Sequence, residues 1–261
     1  MRDFYFMTTT KVSLGVDVFQ AGTARIHWIF GTFSRVCVSF SGGKDSTVLL
    51  HMVATAARRY RRKLSVLFID WEVQFQHTID HVMSMKTLYE DVTDEFIWVA
   101  LPLTTVNGVL QYQPEWMAWA PGVQWVRQPP DFAVTDEDFF PFYRHGMTFE
   151  SFVNDFGSWY SRRESSVVLT GVRADESLNR YWSVATPYKM RYSDDKPWTT
   201  ASQDGTYYIA TPIYDWKTRD VWIFHYKSCA QYNPLYDLMF RAGVESPRIH
   251  PSASGTPEFG G

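Results

Sequence analysis

The sequence predicts an α/β fold: a five-stranded parallel sheet flanked by helices, with an aromatic insertion after strand three. Two observations carry this. Short apolar runs alternate with longer segments of helical period, the pattern of a parallel sheet with right-handed crossovers. One of these units, residues 36–53, is an apolar run, a glycine pair and a helical segment in direct succession.

The elements follow in order. Phe19, Ile26, Ile29, Phe30 and Phe33 recur at helical spacing, so residues 16–33 form an amphipathic helix. Residues 35–40 are strand one, and residues 44–60 are the helix after the glycines. The basic run Arg58-Arg59-Tyr60-Arg61-Arg62-Lys63 closes that helix, where positive charge complements the dipole on a solvated face. Residues 64–70 are strand two, 75–89 a helix, and 96–101 strand three, stopped by Pro102. Residues 104–148 are aromatic and proline-bearing without a clear period. A stretch of that length inside a domain is usually a lid or binding insertion. Residues 149–162 are helical, 167–170 are strand four and 207–213 strand five; helices follow at 217–226 and 234–241. The Ser/Gly/Pro-rich residues 252–261 read as a disordered tail, which leaves 1–251 as one domain.

Ligands on parallel sheets bind beyond the carboxyl ends of the strands. Ser41, Asp70 and Gly171 all follow such ends, so three separate segments converge on one crevice. The richest is Ser41-Gly42-Gly43-Lys44-Asp45-Ser46, entered through Ser39 and Phe40. A strand, glycine turn and helix start aim backbone N–H groups and the positive helix end at an anion. Lys44 adds a point charge for phosphate oxygens. Asp45 is either a first-turn acid favoured by the dipole or a holder of Mg²⁺, which binds through one or two carboxylates plus substrate phosphates. Arg173 follows a strand and a glycine, where a guanidinium grips phosphate or sulfate; the competing reading is an ion pair with Asp175 or Glu176.

The loop resembles the PP-loop of N-type ATP pyrophosphatases and phosphoadenosine-phosphosulfate (PAPS) reductases, the adenine nucleotide alpha hydrolase-like superfamily. Further segments match in order: Leu64 to Asp70, Gly171-Val172-Arg173-Ala174-Asp175-Glu176-Ser177-Leu178-Asn179-Arg180, Pro212 to Trp222, and Tyr232-Asn233-Pro234-Leu235-Tyr236-Asp237-Leu238. The resemblance implies a Rossmann-like fold that binds ATP, or PAPS, with Mg²⁺. Ser39 to Ser46, Gly171, Arg173 and Asp175 would hold the nucleotide, and the backbone near Ile69 and Asp70 would receive adenine. Trp116, Trp119, Trp125 and Lys196-Pro197-Trp198-Thr199-Thr200 resemble a subgroup that includes immunoglobulin-binding regulators, which implies a ParB-like protein partner. PAPS reductases carry a thiolate near the C-terminus, whereas residues 243–261 contain no cysteine. Cys229 or an external thiol would have to serve in a reductase.

Composition narrows the classes. A net charge of −3, with Asp131, Asp136, Glu137 and Asp138 in the insertion, does not indicate nucleic-acid binding. No segment approaches the ~20 apolar residues of a membrane span. Met1 to Met7 lacks a secretory hydrophobic core, so a cytoplasmic location is expected. The two cysteines, Cys37 and Cys229, cannot build a disulfide framework or a four-thiolate site, and no iron–sulfur cluster is expected. Cys37 reads as an inert core thiol and Cys229 as structural. His77 and His81, four apart on one helix, read as a solvated face rather than a metal pair, because no third ligand is evident.

Overall fold

The computed structural model describes residues 15–106, 115–186 and 189–244; the expected tail lies outside them. The first half runs α1 (Val18–Thr32), β1 (Arg35–Ser39), α2 (Lys44–Tyr60), β2 (Leu64–Ile69), α3 (Gln76–Leu88) and β3 (Thr93–Val99). The second half runs β4 (Thr104–Val106), β5 (Glu115–Met117), α4 (Phe149–Ser161), β6 (Ser166–Thr170), α5 (Leu178–Ala185), β7 (Thr199–Ala201), β8 (Tyr208–Ala210), α6 (Thr218–Ser228) and α7 (Leu235–Arg241).

The main sheet has the order β3-β2-β1-β6-β8-β7. Its first five strands pair in parallel, as the sequence predicts. The sixth, β7, is an antiparallel edge strand that the sequence reading missed. At three residues it is too short to show an alternating pattern. The chain leaves β1 towards β2 on one side and returns as β6 on the other. The loops after β1 and β6 therefore diverge, which opens a crevice between them.

Side-chain alternation divides β1 between two cores. Val36 and Val38 join the apolar layer under α1, α2 and α3, while Cys37 joins Phe152 and Phe156 of α4 on the opposite face. Burial raises the pKa of the Cys37 thiol far above its ordinary value, which fits an inert core residue. α2 is buried along most of its length, through Ala57, and ends at Arg61 in the left-handed region (φ 53°). The basic run that follows is not wholly solvated. Arg62 turns back and donates to the carbonyls of Phe30, Phe33 and Ser34, closing the end of α1.

The insertion is ordered where it is described. β4 and β5 pair antiparallel. Val134 adds to the outer edge of β3: its amide donates to Trp98 O at 2.7 Å, and its carbonyl accepts from Ala100 N at 2.9 Å. An exposed strand edge is thereby covered. α5, like β4, β5 and β7, is not among the elements expected from the sequence. It starts at Ser177, whose hydroxyl accepts the Arg180 amide, and exposes Leu178 and Trp182.

Candidate phosphate-binding site

The loop between β1 and α2 is built from backbone strain and buried polar contacts. Gly42 sits at φ +73°, where a Cβ would meet Thr78 Cγ2 at 2.8 Å and Val82 Cγ2 at 2.9 Å. Only glycine turns the chain there without a clash. Ser46 Oγ, in the first turn of α2, accepts from Ser41 N at 3.3 Å, lies 3.0 Å from Ser41 Oγ and donates to Gly43 O at 3.1 Å. Thr47 Oγ1 also donates to Gly43 O at 2.8 Å and contacts His81 Nε2 at 3.0 Å. His81 is thus buried behind the loop, not on a solvated face, and burial lowers its pKa to about 3. His77 is exposed as expected.

A second segment, at the start of α7, latches the loop. Asn233 is fully buried; its Nδ2 donates to Gly42 O at 3.1 Å and Thr78 Oγ1 at 3.0 Å, and its Oδ1 accepts from Leu235 N. Tyr236 OH accepts the Lys44 amide at 3.0 Å, one of the donors left open at a helix start. Burial raises the Tyr236 pKa, so the phenol stays neutral.

The loop after β6 closes the other wall. Gly171 passes so near α2 that a Cβ would lie 2.8 Å from Ser46 N and 3.0 Å from Asp45 C. Gly171→Ala would therefore push the two loops apart. We expect it to weaken phosphate binding by at least about tenfold, and unchanged affinity in a calorimetric titration would refute this close-packing role. Two residues on, Arg173 is 1% exposed. Its Nε donates to Asp45 Oδ1 at 2.7 Å, Nη1 to Trp216 O and Nη2 to Thr218 Oγ1, both at 3.3 Å, and Glu176 Oε1 lies 3.5 Å from Nη2. Lys44 Nζ lies 3.2 Å from Asp45 Oδ2. The structure thus brings together Lys44, Asp45 and Arg173. Asp175 is exposed and stands apart from this cluster.

A cleft of about 440 Å³ opens beside the loop, within the range of small-molecule sites. Ser39, Ser41, Gly43, Lys44, Asp45 and Ser46 form its polar end, and Phe149, Phe156 and Tyr207 supply much of its apolar wall. Glu176 and Arg180, paired with each other, also line it. Sequence reasoning assigned no part to these aromatic residues, because they lie on α4 and beside β8, far from the loop in the chain. Phe40 does not line the cleft: its ring is in the core and its amide donates to Leu67 O at 2.8 Å. Ile69 and Asp70 do not line this cleft, and their carbonyls have other partners: Gln74 Nε2 on Ile69 O at 3.2 Å and Trp119 Nε1 on Asp70 O at 2.7 Å. The Asp70 side chain is spent as well, on Trp98 Nε1 at 2.8 Å, Glu72 N at 2.9 Å and the Arg127 guanidinium. Cys229 is exposed at the end of α6 and lines a different cleft of about 630 Å³, between α1, α2 and α6.

Fold and loop together define an α/β protein of the PP-loop type. The phosphoadenosine phosphosulfate reductase domain model matches residues 35–108 and 153–242, more than half of the chain, and the chain belongs to that family. It is 52% identical over 238 residues to the uncharacterized protein YbdN of Escherichia coli (strain K12), covering 91% of this chain and 59% of that protein. The chain thus spans about three fifths of the relative's length. Among solved structures, PAPS reductase from Candida auris in a phosphate complex aligns with a TM-score of 0.46 at 16% identity, covering 88% of this chain and 93% of that one. Yeast FAD synthetase with FAD aligns at 0.48 and 15%, covering 88% and 65%. The U34-tRNA thiolase NcsA from Methanococcus maripaludis, with its [4Fe-4S] cluster, aligns at 0.44 and 10%, covering 88% and 76%. Among the described residues no helix is long and apolar enough to cross a membrane, and no group of three or more His, Cys, Asp or Glu is placed to hold a metal ion.

Proposed function

We propose that the chain binds ATP at this loop and cleaves the α–β phosphate bond, transferring the adenylyl group to an acceptor. The acceptor oxygen attacks the α-phosphorus as the bond to the bridging oxygen breaks. Pyrophosphate leaves with that electron pair, and the acceptor's proton passes to solvent. Lys44, Arg173 and the loop amides stabilise the charge that develops on pyrophosphate. Ser39 to Ser46 and Gly171 shape the phosphate end.

The observation that carries this reading is the meeting of Lys44 and Arg173, from separate strand ends, at one helix start. It is joined by the placement of the thiols. Cys37 is sealed in the core, and Cys229 faces a cleft that shares no lining residue with the phosphate loop. Adenylyl transfer requires no thiolate, whereas sulfonucleotide reduction does. The double variant Cys37→Ser/Cys229→Ser is therefore expected to retain at least about half of any pyrophosphate release from ATP, since a thiolate nucleophile would contribute orders of magnitude. Sulfite release from PAPS that vanishes in Cys229→Ser alone would make the chain a reductase with Cys229 as its nucleophile.

A second reading is a nucleotide-sensing module that acts through a protein partner without turnover. The internal pairing of Lys44 N with Tyr236 favours it, because α7 already covers part of the helix start. Nucleotide binding without pyrophosphate release, in the presence of candidate partners, would select it.

A further inference from the structure

Lys44 is 6% and Arg173 1% exposed, so two nearly buried cations from separate loops meet on one carboxylate. Buried charges of one sign require an anion close by. Asp45 supplies it, with Oδ1 on Arg173 Nε at 2.7 Å and Oδ2 on Lys44 Nζ at 3.2 Å. This arrangement does not suit a magnesium ligand. Mg²⁺ takes carboxylate oxygens that are free to face it, and here a divalent ion would be the third cationic group on one carboxylate. A phosphate end-group, by contrast, has the charge and the oxygens to satisfy both cations at once.

We propose that Asp45 is the resident counter-anion of the Lys44–Arg173 pair, and that the phosphate end of the ligand displaces it. The inference rests on the loop being the nucleotide-phosphate site. Two features make the exchange feasible. Arg173 is also held by Trp216 O and Thr218 Oγ1, so it stays in place when Asp45 leaves. The Asp45 side chain is 14% exposed in the first turn of α2, against 2% for Arg173, so it can rotate towards the cleft. Glu176, the other carboxylate near Arg173, is paired with Arg180 and stands at 3.5 Å. Asp237, exposed on α7, bonded to Tyr232 and outside the cleft lining, provides the control for charge alone.

The test is calorimetric titration of the full chain with inorganic pyrophosphate in EDTA. Asp45→Asn is expected to tighten binding about tenfold, the effect of removing one charge-assisted internal competitor. Asp237→Asn is expected to change it by less than about threefold. Equal tightening in both variants would reduce the effect to general electrostatics and overturn the proposal. So would unchanged affinity in EDTA with loss of a Mg²⁺-dependent gain, the behaviour of a metal ligand. The pyrophosphate complex of the unmutated chain gives an answer that does not depend on variant folding: Asp45 should have left Arg173, and persistence of the 2.7 Å pair beside bound ligand would refute displacement. Lys44→Ala separates the two levels of inference. Undiminished pyrophosphate affinity in that variant ends the phosphate-loop reading itself. Loss of binding there, without tightening in Asp45→Asn, ends the counter-anion proposal alone.

Discussion

Asp70→Ala is expected to destabilise the protein by about 3–5 kcal/mol, the range for removing one partner of a buried ion pair. The Asp70 side chain is wholly buried and Arg127 is 14% exposed, so the guanidinium left behind has little access to water. The indole N–H of Trp98, donating at 2.8 Å, loses its acceptor too. Asp70→Asn keeps an acceptor for Trp98 and the Glu72 amide while removing the charge, and should fall between the two. Urea unfolding midpoints measure all three proteins. If the loss comes from the stranded cation, Arg127→Met in the Asp70→Ala background should recover part of it. A loss below about 1 kcal/mol, the range of exposed ion pairs, would show that the contact is not structural.

This contact also explains how the insertion is held. Glu72, at φ 65°, accepts the Trp119 amide at 2.7 Å and the Val126 amide at 2.9 Å. Two carboxylates in the turn after β2 therefore fix an insertion that begins more than thirty residues later. That turn anchors the insertion where the family resemblance led us to expect the adenine ring.

The glycine loop between β1 and α2 was legible in the sequence because its requirements are local. Gly42 must take a positive φ, Gly43 opens the helix, and Lys44 is its first residue. The parallel strands were legible for the same reason, as each is a continuous apolar run. The role of Asp70 was not, because Arg127 lies in a segment without period. Nor was the burial of His81, which depends on Thr47 reaching it from another helix. Asn233 and Tyr236 act on backbone groups nearly two hundred residues away, so nothing near them in the chain signals their contacts. α5 escaped because it is only eight residues long, with Leu178 and Trp182 exposed and Val184 its one buried residue, too little to read as a core-facing stripe.

Lys44→Ala should weaken ATP and PAPS binding by about 10- to 150-fold, the equivalent of losing one charge-assisted contact of roughly 1.5–3 kcal/mol. The fold should survive. Asp45 keeps its bond to Arg173, the Tyr236 hydroxyl bonds the Lys44 backbone and not its side chain, and alanine is a better helix former than lysine. Adenosine, which carries no phosphate, should bind the variant as it binds the unmutated protein, because the role proposed for Lys44 is confined to the anionic end. Calorimetric titrations with the three ligands separate the cases. Equal losses for all three would mean that the loop had rearranged, and unchanged affinity for both ATP and PAPS would remove phosphate from this site altogether.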